Sequence, residues 1–392
     1  MTHQLTPASD REEHLRRRTT SRSPRQDSVS VTLYTEPDLD TIRAWDQLVR
    51  DTPRSDITQL SAWSNLRRHA GFLPLYLLAW HNERLVGGAL VLQRQVPLLG
   101  LVGYLPYGPV IAAGEPRAAT ASALSAALSE LGHHHLGSCF VQPPEDGDDI
   151  SDQLLARGFR RSTAGIAPQA SIRIDLSADV EKLRNGLSKS NRRRSRHWAG
   201  RGVSVRIGDE RDLPLVADLL AHTAAYQHFD SPSLDYLATL YRELKPGDHV
   251  KVFIAELHGA AAVAELFTGC GGVFKSRLTG MVRSGAVAKS GAAAALMWNA
   301  MVWAKANGYR TFDFGGLAVD MAEEITAART SRLTGPAAFK ASFGGRPFHY
   351  PTPVELISSP LVRVGYDLAR RSPAGNRLVE AMRRVLRAGA GE

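Results

Sequence analysis

Along the chain apolar residues alternate with polar ones in some stretches and recur every third or fourth position in others, and each change of period marks an element. VTLYTEPDLDTIRAWDQLVRD, residues 31–51, predicts a strand and then a helix that starts near Asp38 or Asp40. PLYLLAWHNERLVGGALVLQR, residues 74–94, places two apolar runs around the polar turn HNER and predicts a hairpin. LVGYLPYGPVI follows as a strand ended by prolines, Ala118 to Leu131 as an alanine-rich helix, CFVQ as a short strand, and SDQLLARGF as a helix stopped at Gly158. IRIDL, residues 172–176, is expected to close the first half.

The second half repeats that order loosely. Lys182 to Ala199 is expected to form one helix, LPLVADLLAHTAAYQ another and SLDYLATLYREL a third. VKVFIAELHGAAAVAELFTG predicts two strands around a tight turn, VFKSRLTGM a third strand, Ser290 to Asn307 a helix and YRTFDFGG the strand after it. In both halves a meander of strands leads to a helix ending in Gly plus an aromatic, ARGFR and ANGYR, as two copies of one mixed α/β acyltransferase-like unit would. Residues 360–390 are Arg-rich with apolar residues at helical spacing, and they read as C-terminal helices lying on the first domain or fraying into solvent.

Length agrees with a tandem, since 392 residues exceed the roughly 250 to 300 at which single cores stop growing. Apolar residues make up 43% and charged ones 22%, an ordinary balance for a soluble globular protein. Residues 95–114 carry no charge, yet Pro97, Pro106 and Pro109 would break a membrane-spanning helix there, so no stable membrane insertion is expected. The polar residues 1–29 lack an apolar signal core and predict a disordered basic tail on a cytoplasmic protein. Cys139 and Cys270 are too few for a disulfide framework, and neither these nor the adjacent His133, His134 and His135 have the spacing of a metal site.

Charge changes the picture most. Between Lys182 and Arg201 lie eight Lys or Arg and no Asp or Glu, which leaves only +1 of the net +9 for the rest of the chain. Wound as one helix, that stretch puts Lys182, Lys189, Arg192, Arg193 and Arg196 within an arc of about 100° and Leu183, Leu187 and Trp198 opposite. A solvated face usually mixes signs, whereas this one needs an anionic partner, for which a phosphate backbone is the natural candidate.

These segments resemble a family. The basic stretch, then RGVSVRIGDERDLPLVADLL, VKVFIAELHGAAAVAELF, NGYRTFDFGGL and GPAAFKASFGGRPFHY, together with QLSAWSNLRRHAGFLP and YLPYGPVI earlier, resemble the FemAB family of aminoacyl-tRNA-dependent transferases over roughly residues 55–355. The resemblance implies an α/β protein of mixed sheets with two tandem GNAT-like domains and no long coiled-coil arm. The expected divisions are a tail over 1–29, a first domain over 30–178 completed by 345–372, a second over 179–344, and a C-terminal helix or tail over 373–392. It further implies that aminoacyl-tRNA delivers an amino acid, that a small peptide or amine acceptor binds between the domains, and that the tRNA acceptor arm lies on Lys182, Lys189, Arg192, Arg193 and Arg196.

An aminoacyl ester is already activated, so an amine can attack it with no cofactor, and what remains to stabilise is the oxyanion. By resemblance that cation is Lys340, beside Phe339 in FKASFGG. Asp313 of FDFGG is a candidate base that can equally order the Gly315-Gly316 turn, and the resemblance matches Arg67 and Tyr236 to acceptor binding, with Tyr104 and Tyr107 as further cleft-lining candidates. Pro143 stands where the family carries a first-domain Asp, and Pro232 where peptidoglycan-type members carry a diphosphate-gripping Arg. Two other readings stay open: an acyl-CoA N-acyltransferase, although AVAKSGAAAAL lacks the usual glycine spacing of a CoA loop, and a non-catalytic RNA-binding protein.

Overall fold

The computed structural model describes residues 28–371, apart from 97–99, 228, 328, 330 and 331, together with Arg383. The tail expected over 1–29 and the segment over 373–392 therefore lie outside the described residues, save for 28, 29 and 383, as does Pro97.

Two mixed sheets are built by the same succession of elements. The first runs β1 (Ser30–Tyr34), α1 (Leu39–Asp51), α2 (Ser61–Arg68), β2 (Leu73–His81), β3 (Arg84–Val96), β4 (Gly100–Pro106), β5 (Val110–Ile111), α3 (Arg117–His134), β6 (Ser138–Gln142), α4 (Asp148–Leu155) and β7 (Arg160–Arg161). After β8 (Ala170–Asp175), α5 (Val180–Gly186) and α6 (Lys189–Arg194), the order returns. It comprises β9 (Val203–Gly208), α7 (Leu213–Gln227), α8 (Leu234–Leu244), β10 (Val250–Leu257), β11 (Ala260–Cys270), β12 (Val273–Met281), α9 (Gly285–Ser290), α10 (Ala292–Ala306), β13 (Thr311–Leu317) and α11 (Val319–Thr326). The chain closes with α12 (Gly335–Ala341), β14 (Arg346–His349), β15 (Val354–Ile357) and α13 (Pro360–Ala369).

In each sheet an antiparallel meander leads to a parallel pair, β4 with β6 and β12 with β13, beyond which further antiparallel strands join, and a long helix, α3 or α10, makes the crossover. Local chemistry accounts for the pieces. Asp38 caps α1 by accepting from the Thr41 amide, and Asn82 and Glu83 take positive φ at the tip of the β2–β3 hairpin, within the predicted HNER turn. The repeat signature read from the sequence was half misplaced. ANGYR does end the crossover helix α10, but ARGFR follows α4, one step later in the order, and its topological counterpart is the end of α3.

Strand exchange between the sheets also departs from expectation. IRIDL lies in β8, which sits inside the second sheet between β14 and β13, so the first domain ends before residue 170 instead of at 178. The segment over 345–372 divides: β14 joins the second sheet, while β15 pairs with β6 and β7 and, with α13, completes the first. Arg160 holds that return in place, reaching Glu355 at 3.0 Å and Asp367 at 2.7 Å.

One apolar core joins the two units. Trp45, Leu60, Trp63 and Leu66 from the first belong to the same buried cluster as Leu237, Leu240 and Leu244 of α8. Around it Arg54 donates its amide to the Gly271 carbonyl at 2.7 Å and Asn65 donates to Glu243 at 3.2 Å. Among the described residues no helix is long and apolar enough to cross a membrane.

The basic stretch is not one helix. Leu187 leaves helical geometry, and Ser188 caps the next helix by accepting from the Asn191 amide at 3.3 Å. Leu183, Leu187 and Trp198 are buried in the second core as their spacing predicts, but the single arc of five cations is broken. Lys182 lies on α5, Lys189, Arg192 and Arg193 on α6, and Arg196 in the turn beyond it. The break seats the stretch on the loop after α12. Ser188 donates its amide to the Ser342 carbonyl at 2.8 Å, Asn191 donates to the Ser342 hydroxyl at 2.8 Å, and Gly344 at φ +78° packs directly on the Gly186 carbonyl. A Cβ at 344 would collide with that backbone and would also occupy left-handed φ space. Gly344→Ala is expected to lower stability by at least about 2 kcal/mol in urea unfolding.

Candidate active site between the two sheets

A narrow cleft lies between the two units. Arg54, Asp56, Tyr107 and Glu145 line it from the first unit, Arg173, Thr268 and Lys275 from the second, and Tyr350 closes one side. Charge is paired throughout. Lys275 Nζ lies 3.3 Å from Asp56 and above the rings of Tyr107 and Tyr350, at 4.6 and 5.8 Å from their centroids. Arg173 pairs with Glu145 and, at 2.7 Å, with Asp313, donates to the Tyr350 hydroxyl at 3.0 Å, and stacks 3.7 Å over Phe348.

Asp313 is fully buried on β13. One carboxylate oxygen accepts from the Gly315 amide at 2.8 Å and from the Ser171 hydroxyl, the other from Arg173. Burial alone would push its carboxyl up, but Arg173, Lys275 and the Ser171 hydrogen bond outweigh that and hold it below the usual 3.8. A carboxylate so stabilised is a weak base, and the geometry fits the ordering of the Gly315-Gly316 turn.

That turn seats Lys340. Its ammonium donates to the Gly316 carbonyl at 2.6 Å and the Gly315 carbonyl at 3.3 Å. Burial lowers the lysine's pKa from 10.5, opposed by the nearby Glu265 and Asp313 charges and aided by Lys275. Phe339 stacks edge-on against Phe343 at 5.2 Å, and Phe343 continues to Phe314, so the pair FK is held at both residues. Lys340 itself does not line the cleft, and the loop that follows it, at Ser342, contacts the basic stretch.

The remaining sequence candidates divide. Tyr107 is in the cleft, 4.6 Å ring to ring from Tyr350, with 1% exposure. Tyr104 is not: from within β4 it lines a separate hollow inside the first unit with Phe140, Gln142 and Gln169, whereas Tyr107 lies just past the end of that strand at φ +49°. Arg67 is also buried, its guanidinium 4.2 Å over Phe72 within the first core, so it supports α2 before it can reach an acceptor. Tyr236 is half-buried on α8, against the same core. Lys182, Lys189, Arg193 and Arg196 are exposed and Arg192 is half-buried, and among the described residues none of the five forms an ion pair.

Sequence reasoning missed Asp56, Glu145, Arg173, Lys275 and Glu265. A signal existed for the last three, each a charged residue inside a strand of apolar alternation, SIRID, VFKSR and AVAELF.

Comparison with known proteins agrees with the geometry. A family model described as an acetyltransferase (GNAT) domain matches residues 182–330. The lipid II:glycine glycyltransferase of Staphylococcus aureus (strain MRSA252) is 23% identical over 235 residues, 56% of this chain and 55% of that protein. The chain thus spans about half the length of the curated relatives it matches. The crystal structure of FemX superposes with a TM-score of 0.71 at 17% identity, covering 85% of this chain and 99% of that one. The C-terminal domain of a putative lysylphosphatidylglycerol synthetase from Agrobacterium fabrum gives 0.52 at 12% identity, over 84% and 96%. Fold and paired sheets define a tandem GNAT-fold protein of mixed α/β class. With the FDFGG and FKASFGG motifs in place, these likenesses agree with the FemAB resemblance of the sequence.

Removing Arg173 would leave Asp313 buried beside no direct cation. Arg173→Met is expected to lose about 3 kcal/mol of stability at pH 7. Because the folded Asp313 pKa is depressed, its contribution is present above 3.8 and lost as pH falls through the lower folded value. The gap between wild type and variant in urea unfolding should therefore narrow on that acid side.

Proposed function

We propose that the protein transfers an amino acid from aminoacyl-tRNA to the amine of a peptide-like acceptor, both substrates being bound together. The observation that carries this reading is the direct seating of a basic stretch, most of whose cations form no ion pair among the described residues, on the loop that follows Lys340, through Ser188, Asn191 and Gly186 against Ser342 and Gly344. A phosphate backbone laid on Lys182, Lys189, Arg192, Arg193 and Arg196 would bring its 3′ end toward the Gly315-Gly316 turn. The acceptor would enter the paired-charge cleft from the other side, past Tyr107, Lys275 and Tyr350.

The chemistry needs no cofactor. The acceptor amine attacks the ester carbonyl, and the cation at Lys340 stabilises the oxyanion of the tetrahedral intermediate before the ribose hydroxyl leaves. Asp313 is too well stabilised to accept the amine's proton, and no Asp occupies the Pro143 position, so solvent or the leaving ribose oxygen takes it. The related glycyltransferases, whose name specifies lipid II, support an acceptor of the cell-wall precursor class. Pro232 in place of a diphosphate-gripping arginine favours an acceptor held by its peptide end, a natural-product amine included.

The GNAT match supports one other reading, an acyl-CoA-dependent N-acyltransferase. A single assay separates them: the protein is mixed with labelled aminoacyl-tRNAs, or with acyl-CoA, and with muropeptide and amine acceptors, and transferred label is followed beside free CoA. Label moving from tRNA to an acceptor supports the proposal; CoA release with no transfer from any tRNA overturns it.

Lys340→Met is expected to cut turnover about 100-fold while leaving tRNA affinity unchanged, as loss of one oxyanion donor does. Neutralising Arg192, Arg193 and Arg196 together should weaken tRNA binding and reduce the slope of log affinity against log salt by about 2. Filter binding across a salt series checks the slope, and an unchanged slope removes the stretch as the tRNA surface.

A further inference from the structure

Strand β11 reads AAAVAELFTGC, and Glu265 is its one charged residue, with no exposed surface. A carboxylate in such a strand is costly unless something there uses its charge. The ladder sets Glu265 opposite Thr279 on β12, and a register shift between Leu266 and Phe267 re-aims β12 just where Ser276 lies. The Ser276 hydroxyl donates to Glu265 Oε1. The Ser276 carbonyl in turn packs on Gly315 so closely that a Cβ there would come within 2.7 Å of it. Gly315 offers its own carbonyl to Lys340 at 3.3 Å. Contacts therefore run unbroken from Glu265 through Ser276 and Gly315 to Lys340, where β12 and β13 part.

The other charges facing this point are already engaged. Asp313 of β13 is bound by Arg173 of β8, Ser171 and the Gly315 amide, and Lys275 of β12 is bound by Asp56. Burial raises the Glu265 carboxyl to about 7, against the pull of its Ser276 and Thr279 hydrogen bonds and of the Lys340 charge. On the lysine's side burial lowers the pKa, and Glu265 is the foremost influence opposing that, ahead of Asp313.

We propose that Glu265 is a positioning residue for Lys340, its carboxyl group lying beneath the parting of β12 and β13 and supporting, through Ser276 and Gly315, the seat of the lysine ammonium on the Gly315 and Gly316 carbonyls. The role rests on the reading of Lys340 as the oxyanion-stabilising cation, and Glu265 itself touches no substrate.

The test is competitive trace labelling of the full-length protein with isotopic acetic anhydride between pH 6 and 10, with exposed Lys182 as internal reference. In Glu265→Gln, Lys340 should be labelled more than in wild type, by up to about tenfold above pH 7 where the Glu265 carboxyl is ionised, the effect of losing one neighbouring opposite charge. The alkaline limb of the transfer-rate profile should move down by about one pH unit with the acid limb in place. Unchanged Lys340 labelling in a variant of native stability overturns the proposal. Should that variant not fold, 13C NMR of glutamate-labelled protein serves: a buried glutamate titrating near pH 7 in wild type and higher in Lys340→Met supports it, and the absence of any such glutamate overturns it. Labelling needs neither tRNA nor acceptor. Coupling that persists in a protein unable to use any aminoacyl-tRNA would count against the transferase reading alone.

Discussion

A buried carboxylate stays ionised only where hydrogen bonds and cations replace the water it has lost, and Asp313 has all of these around it. Its two oxygens take the Gly315 amide, the Ser171 hydroxyl and the Arg173 guanidinium. The first of these bonds sets the turn whose carbonyls receive Lys340, and the third ties β13 to β8 and to Glu145 of the opposite unit. Position of the lysine, exchange of β8 into the second sheet and the charge lining of the cleft thus depend on one ionised side chain. Replacing it by Asn would keep its shape yet leave Arg173 with half its compensation.

The two units meet through apolar packing as well as charge, which bears on how they could work together. Trp63 and Leu66 of α2 share a core with Leu237 and Leu240 of α8, so the interface resembles the inside of a domain more than a hinge. A Gly271 backbone wedged against Ser55, at φ +53°, adds a contact that admits no side chain. Pre-formed geometry of this sort suits a reaction whose catalysis is mainly orientation and electrostatics, because little ordering is left to do when substrates arrive.

Much of the fold was legible because periodicity reports burial. The hairpins over 74–94 and 250–269 and the helices over 213–227, 234–244 and 292–306 stand where their patterns put them. What failed was non-local. Nothing in SIRID tells which sheet will take it, since that depends on Asp313 waiting 140 residues away for Arg173. The single basic helix was read through a capping signal, Ser188 three residues before Asn191, that like charge on both sides obscured. ARGFR and ANGYR look alike because both end helices with Gly, although they end different ones. At the site, Lys340, Phe339 and Asp313 came from motif resemblance, whereas Tyr104 fell away because it faces a hollow within the first unit from β4, while Tyr107 reaches the cleft from the turn beyond that strand. Glu265 and Lys275 carry their meaning only in three dimensions.

Charge also divides the surface in a way that sorts substrates. The cleft lining sets Arg54, Arg173 and Lys275 against Asp56 and Glu145, with Asp313 directly behind, so its cations are spoken for and a polyanion entering there would have to break existing pairs. The basic stretch has the opposite character: its exposed cations lack carboxylate partners among the described residues, and the backbone beneath them is locked to the Ser342 loop. A phosphate chain gains most on the second surface, and a substrate of balanced charge, such as a peptide amine, loses least in the first. On the proposed function, the two binding sites are thereby told apart by electrostatics alone, and the half-buried Lys340 is left to act on a charge that appears only during the reaction.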